Sequence, residues 1–378
     1  MSIKNYKKSL KKNKANYASL SPIAFLERTA SVISENNSFT WKSTFSRCKL
    51  FASSLIKKKI KKGDTVSIMA PNTSAMYEAH FAIPMVGAVI NAINIRLDAK
   101  TISYILKHSD SKLIFVDTEF LPIIKQAFKI GKLKIPIIFI EDSSDFSKNI
   151  DGSISYEDFL NQGNLTDNKV NFKIDDEWFP ISLCYTSGTT GEPKGVVTHH
   201  RGAYLNSISN QLSWNMKKNP IYLWTLPMFH CNGWCFPWTI AAMAGTNICL
   251  RKFDAKKIFK LINKYNVSHL CGTSVVIKML IEEGTKLEKT VELMTGAAPP
   301  PAKVLKKIEE LNFNITHTYG LTEVYGPATI CEWQDEWSSL KKDLVAEHKS
   351  RQGVKCYGLV DLQVISKKNK KPVEKNGK

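Results

Sequence analysis

Arginine is scarce in this chain: of 53 basic residues only six, Arg28, Arg47, Arg96, Arg201, Arg251 and Arg351, are arginine, so the formal net charge of +19 is carried by lysine. Base-edge recognition in nucleic acids leans on the planar, bidentate guanidinium. The lysine clusters at Lys7 to Lys14, Lys57 to Lys62 and Lys367 to Lys371 have no interleaved aromatics to form a stacking surface. No nucleic-acid partner is therefore expected, although the field attracts small anions. Metal-ligand spacing is missing too. None of the eight cysteines forms a Cys-x-x-Cys pair, and His230, Cys231 and Cys235 lack a second half-site. Most cysteines sit in apolar runs, which fits free thiols in a reducing cytoplasm. Long hydrophobic runs are also absent. Phe81 to Ile93 is interrupted by Pro84, Gly87 and Asn91, and the basic N-terminus has no apolar signal region, so neither a membrane span nor a secretory signal is expected. Finally, no Gly-Lys-Ser or Gly-Lys-Thr closes a common phosphate loop, which argues against a kinase or motor-type ATPase.

What is present is a core. A chain of 378 residues with 43% hydrophobic and 10% aromatic residues can bury two or three packed units. Strand-length apolar runs recur at Thr65 to Met69, Leu113 to Val116, Ile137 to Ile140, Ile181 to Tyr185, Tyr222 to Leu226, Ile248 to Leu250 and His269 to Cys271. Helical stripes lie between them. After Asp254, a candidate N-cap, Ile258, Leu261, Ile262 and Tyr265 share a face; after Pro299 to Pro301, Val304, Leu305, Ile308 and Leu311 do the same. The alternation predicts an α/β protein with mainly parallel sheets layered with helices. A composition shift near Gly353 separates residues 1–352 from 353–378, which read as the first hairpin of a further β subdomain.

Four patches could carry chemistry. The first, Tyr185 to Gly195, follows an apolar strand with Thr186, Ser187, Gly188, Thr189, Thr190, Gly191 and Lys194. Glycines let backbone N–H groups turn inward, hydroxyls add donors and the lysine adds charge, which describes a polyphosphate cradle. The second, Thr318 to Glu323, offers the Tyr319 face for stacking, Gly320 for close approach, Thr322 as a phosphate donor and Glu323 as a hard ligand for Mg²⁺. The third, Pro227 to Trp234, places His230 and Trp234 after a strand, where open α/β sheets form ligand crevices. Read alone, a histidine or tryptophan there is more often structural. The fourth, Met294 to Pro299, uses small residues that either admit a flat ring or make a tight turn before a helix.

Together and in this order, the four patches resemble the adenylate-forming superfamily of acyl-CoA synthetases, luciferases and peptide-synthetase adenylation domains, over nearly the whole chain from Ser21 through Gly353. The stretch from Met228 through Cys249, Leu250 and Arg251 is most similar to medium-chain acyl-CoA ligases and methylmercaptopropionate-CoA ligases. The resemblance implies a large N-terminal adenylation domain with two mainly parallel sheets. It also implies a carboxylate, ATP and coenzyme A as substrates, and an acyl-adenylate intermediate. By position it assigns Thr186 to Thr190, Gly191 and Lys194 to the β- and γ-phosphates, Thr186 and Glu323 to Mg²⁺, and Thr322 to the α-phosphate. Gly296, Ala297 and Ala298 would line the adenine pocket with Tyr319 stacking, His230 would steer the carboxylate, and Trp234 and Gly320 would border the acyl tunnel.

Family members continue with a ribose-binding aspartate, a hinge arginine and a small lid domain whose lysine drives adenylation. Asp361 lies too early to be that aspartate, and Lys367 to Lys378 match no catalytic-lysine motif, so the expectation is a chain without its lid that binds ATP weakly and turns over poorly. Alternatives stay open: loading of a carrier protein, a non-catalytic ATP-binding fragment, or one half of a split enzyme. Acyl length and oligomeric state, including a homodimer, are not readable from the sequence.

Overall fold

The structure is a computed structural model that describes residues 12–13, 16–32, 39–141, 153–170, 174–186, 191–297 and 300–374. It forms two compact units, Met1–Tyr204 and Leu205–Lys378, and the division falls within the helix His200–Ser213. The apolar runs become strands in both units, as their unbroken hydrophobicity requires of strands covered on two faces.

The first unit is built on the seven-stranded sheet β5-β4-β3-β1-β2-β6-β7. Its strands are β1 (Thr65–Met69), β2 (Val89–Ala92), β3 (Ser111–Asp117), β4 (Ile137–Ile140), β5 (Ile154–Ser155), β6 (Pro180–Thr186) and β7 (Lys194–His199). All neighbours pair in parallel except β6 and β7. The helix Ala99–His108 starts where the Asp98 carboxylate accepts from the backbone N–H groups of Lys100 and Thr101 at 2.9 and 3.0 Å. It buries Ile102, Ile105 and Leu106 against Ile114 and Val116 of β3, together with Ile124 of the helix Leu121–Gly131.

The second unit carries the sheet β14-β13-β12-β11-β10-β8-β9. The members are β8 (Ile221–Trp224), β9 (Thr246–Cys249), β10 (His269–Gly272), β11 (Val291–Thr295), β12 (Phe313–Leu321), β13 (Gly326–Ile330) and β14 (Val354–Lys355). Strands β8 to β12 pair in parallel, and β13 and β14 are added antiparallel. Asp254 does cap the helix Ala255–Tyr265, accepting from Lys257 N at 2.9 Å. Ile258 and Ile262 of that helix join Leu305 and Ile308 of the helix Ala302–Glu309 in one core. Tyr265 departs from the expected stripe and is 40% exposed, because it closes the last turn before Asn266 adopts the left-handed conformation. Near the end of the described chain, Ile365 and Pro372 form an antiparallel bridge.

The seven apolar runs did not include β2, β5, β7 or β11 to β14. The most apolar stretch divides into the helix Ser74–Met85, with Pro84 in its last turn, and the short β2. Within that helix His80 is fully buried, and burial pushes its imidazole down to about 4 from an ordinary 6.5. In the unfolded chain the same ring takes up a proton below about pH 6.5, so stability is complete above that pH and drains away as pH falls toward the folded value, by about 3 kcal/mol in all. Chemical denaturation between pH 7 and 4 should show this loss together with that of His200 and His269, which burial likewise lowers to about 4, and His80→Gln should remove part of it; an unchanged slope in the variant would remove His80 as a cause.

Candidate functional site

In the first unit, β6 and β7 pair antiparallel, and Thr186 and Lys194 are directly opposed across the pair. Directly opposed strand residues hold their Cβ atoms roughly 5 Å apart, so the Thr186 and Lys194 side chains leave the strand pair side by side. Lys194 is exposed and Thr186 half-buried. Gly191 takes a φ of +108° with nothing within 4 Å of where a Cβ would sit, a conformation that glycine adopts without strain. Ser187, Gly188, Thr189, Thr190 and Ala298 lie outside the described residues. After residue 193 the chain runs as β7, with the exposed Val197 on it, and then enters the helix His200–Ser213.

The second unit gathers the other three patches at the carboxyl ends of its parallel strands, the usual place for ligands in such sheets. After β8 the chain runs through His230 into a single left-handed turn. Cys231, Asn232, Gly233, Trp234 and Cys235 all have positive φ, between 40° and 66°. Left-handed backbone costs a non-glycine residue on the order of 1–2 kcal/mol, so four of these five positions are strained. The surroundings hold them in place. Gly233 N donates to His230 O at 2.9 Å, and the Asn210 amide donates to Trp234 O at 2.8 Å. The Trp224 ring lies 2.9 Å from the point a Cβ on Gly233 would occupy, so only glycine fits there.

That turn is docked on the hairpin β12–β13. Cys235 Sγ donates to Tyr325 O at 3.4 Å, and the Asn206 amide donates to the same oxygen at 2.7 Å. Gly326, with φ +122°, lies so close to the Trp234 backbone that a Cβ would be 3.2 Å from its Cα. On the other side, a Cβ on Gly296 would meet the Trp234 ring at 2.9 Å and the Thr318 methyl at 3.2 Å. Trp234 is thus wedged between Gly296 at the end of β11 and the hairpin. His230, at the start of the turn, is exposed.

The hairpin itself positions the acidic patch. Tyr319 opposes Thr329, Gly320 opposes Pro327 and Leu321 opposes Gly326, with a register shift between Tyr319 and Gly320. Thr322, Glu323 and Val324 form one 3₁₀ turn, closed by a hydrogen bond from Tyr325 N to Thr322 O at 3.0 Å. Thr322 is half-buried and Glu323 exposed. Ala297, just after β11, is exposed with φ +74°, and the Thr295 hydroxyl beside Gly296 is fully buried without a hydrogen-bond partner among the described residues.

Of the residues singled out from the sequence, His230, Trp234, Gly296, Ala297, Tyr319, Gly320, Thr322 and Glu323 therefore belong to one neighbourhood of the second unit. Thr186, Gly191 and Lys194 belong to the hairpin of the first. Asn206, Asn210, Tyr325 and Gly326 were not anticipated. Only Gly326 carried any signal, as a glycine three residues beyond the acid. The Thr186 hydroxyl in the first unit and the Glu323 carboxylate in the second are each, taken separately, oxygen donors of the hard type that magnesium accepts. No group of three or more His, Cys, Asp or Glu side chains converges among the described residues.

Comparison with known proteins places this architecture. The family described as AMP-binding enzyme matches residues 24–378, and the chain belongs to that family. An acetate/butyrate–CoA ligase of Arabidopsis thaliana, described as peroxisomal, is 45% identical over 396 residues, covering 98% of this chain and 69% of that protein. An acetate–CoA ligase of Humulus lupulus is 46% identical, covering 97% and 69%. A peroxisomal benzoate–CoA ligase of Arabidopsis thaliana is 44% identical, covering 96% and 66%. Among solved structures, a long-chain-fatty-acid–CoA ligase from Archaeoglobus fulgidus superposes with a TM-score of 0.79 at 18% identity, covering 94% of this chain and 73% of that one. The N-terminal domain of FACL13 from Mycobacterium tuberculosis gives 0.72 at 22%, covering 89% and 83%. These two likenesses concern the fold: mixed α/β with two mainly parallel sheets. No helix among the described residues is long and apolar enough to cross a membrane.

Proposed function

We propose that this AMP-forming acid–thiol ligase activates a small carboxylic acid with ATP and transfers the acyl group to coenzyme A. The observation that supports the reading is the wedging of Trp234, in the strained Cys231–Cys235 turn, between Gly296 and the β12–β13 hairpin, the neighbourhood of the segments that carry His230, Tyr319 and Glu323. A carboxylate is a poor electrophile until its oxygen becomes part of a phosphate anhydride. Its oxygen attacks the α-phosphorus of ATP, the bond to the β-phosphate oxygen breaks, and pyrophosphate leaves with the electron pair. The sulfur of coenzyme A, its proton lost, then attacks the acyl carbon and AMP departs.

In this reading Thr186, Gly191 and Lys194 take the β- and γ-phosphates, together with Ser187, Gly188, Thr189 and Thr190. Thr322 meets the α-phosphate, Tyr319 stacks on adenine beside Gly296, Ala297 and Ala298, and His230 orients the substrate carboxylate. A magnesium ion bound by Thr186 and Glu323 would supply charge neutralisation on the phosphates. Coenzyme A is favoured over a carrier protein because the named relatives are CoA ligases. The substrates proposed are short aliphatic acids such as acetate and butyrate, with benzoate as an aryl comparison and methylmercaptopropionate as a sulfur-containing one. Either the cytoplasm or the peroxisome suits this chemistry, and fractionation of cells expressing the protein separates them.

The test is a panel of these acids scored by AMP formation with and without coenzyme A. AMP from none of them would end the reading, and thioester formed only on a carrier protein would redirect it. Trp234 is 8% exposed and fills the space beside Gly296, so Trp234→Ala should move the preferred acid toward longer chains and lower kcat/KM for acetate about tenfold. An unchanged chain-length profile would take Trp234 out of the acyl pocket.

A further inference from the structure

The helix Ala99–His108 ends against the base of the β6–β7 hairpin, and its last turn contributes more than packing. His108 Nδ1 and the Tyr185 hydroxyl share a hydrogen bond of 2.7 Å, and the two rings meet edge to face with centroids 5.7 Å apart. Tyr104, one turn earlier, stacks on His108 at 5.3 Å with only 20° between the ring planes. Tyr185 immediately precedes Thr186 and opposes Gly195 across the hairpin, one step from the Thr186 and Lys194 pair. A Cβ on Gly195 would stand 3.3 Å from the Tyr185 ring, so the strand lies directly over that ring. Burial raises the Tyr185 phenol to about 12, so the hydroxyl stays protonated and able to hydrogen-bond at any working pH. On the far flank of the turn, Glu192 reaches the neighbourhood of Tyr104: the Tyr104 phenol is raised by its surroundings and then by the Glu192 charge.

These contacts go beyond tertiary packing because of where they act. β7 is the last strand of its sheet, with a neighbour on one side only, so the register and angle of the turn it closes are weakly fixed by the sheet itself. A hydroxyl and an ammonium that must meet a triphosphate within a few tenths of an ångström need a second support behind them.

We propose that Tyr104 and His108 are positioning residues for nucleotide phosphates: through Tyr185 they set the angle of the Thr186 and Lys194 pair, and so act on the pyrophosphate half of the nucleotide. The assignment rests on the proposed function for what the hairpin binds, and on the geometry alone for what holds the hairpin. It leaves adenine, ribose and carboxylate binding untouched.

The experiment uses the whole protein and two readouts. Hydrogen exchange of the peptides covering Pro180–Thr186 and Lys194–His199 should speed up in His108→Ala and Tyr185→Phe, while β1 keeps its protection. The dissociation constant for Mg·ATP should rise about tenfold in each, that for AMP should not move, and His108→Gln should recover most of the loss by restoring a hydrogen-bonding group. Because the Tyr185→Phe and His108→Ala effects act through one bond, the double variant should be little worse than either single one. Unchanged exchange in the hairpin peptides would overturn the proposal, as would equal weakening of ATP and AMP. If the wild-type protein bound neither nucleotide, the function proposed above would fall, while the exchange result would still decide whether the helix end anchors the hairpin.

Discussion

Replacing Lys194 with alanine is expected to slow carboxylate-dependent pyrophosphate release about 100- to 1000-fold, the loss typical of removing one preorganised charged group from a transition state. In the proposed reaction two anions, the carboxylate and the triphosphate, must approach each other, and the proposed source of positive charge is Lys194, which opposes Thr186 across β6 and β7. Lys194 is exposed, so its removal should leave the melting temperature within about 2 °C of the original, an effect of the small size usual for surface substitutions. Lys194→Arg should recover part of the rate but not all of it, because a planar guanidinium presents its donors differently from a compact ammonium. Steady-state pyrophosphate release at saturating acid, with ATP varied, measures the effect. A variant that keeps a third or more of the original rate would show that this lysine is not the phosphate-neutralising group.

Gly320→Ala should be among the most damaging one-carbon additions in the second unit. A Cβ at this position would lie 1.8 Å from Gly326 O and 2.5 Å from Gly326 C, backbone atoms that cannot swing aside as a side chain could. The register shift between Tyr319 and Gly320 brings the two strands together there, and Gly326 already sits at φ +122°. Accommodation must open the hairpin, which displaces Tyr319 on one side and the Thr322–Val324 turn on the other. It must also disturb Tyr325 O, the acceptor for both Asn206 and Cys235, and hence the left-handed turn that carries Trp234. The expected cost is about 3 kcal/mol or more of stability, at the upper end of overpacking effects, with loss of AMP formation. Thermal unfolding and the acid panel check both parts. An active Gly320→Ala protein with normal stability would mean that the two strands are not pressed together at this point.

The elements that the sequence made legible are those whose signal is local. β1 and β4 coincide with their apolar runs, residue for residue, because a strand buried on both faces needs no partner to be recognised as apolar. The Asp254 cap was readable because the bond it makes spans only three residues. β7 was not, since its Lys, Gly, Val, Val, Thr and His mix exposed and buried positions, and it exists as a strand only by pairing with β6. The left-handed turn at Cys231–Cys235 ran against local preference altogether. Four non-glycine residues with positive φ are held in part by groups from elsewhere in the chain, such as the amide of Asn210 and the carbonyl of Tyr325.

The amino-acid order alone determined the α/β class, the hydroxyl- and glycine-rich composition of the segment after β6, and the identity of the histidine, tryptophan, tyrosine and acid offered for chemistry. The folded chain decided which of them meet. Trp234 came to lie against Gly296 and Gly326, and the acidic turn came to sit at the end of the β12–β13 hairpin. The physical reason is one of range. Hydrophobic period and capping are set within a turn or two of chain, whereas the contact between residues 235 and 325 depends on sheet order and on a backbone distortion whose cost is met only once both partners are in place.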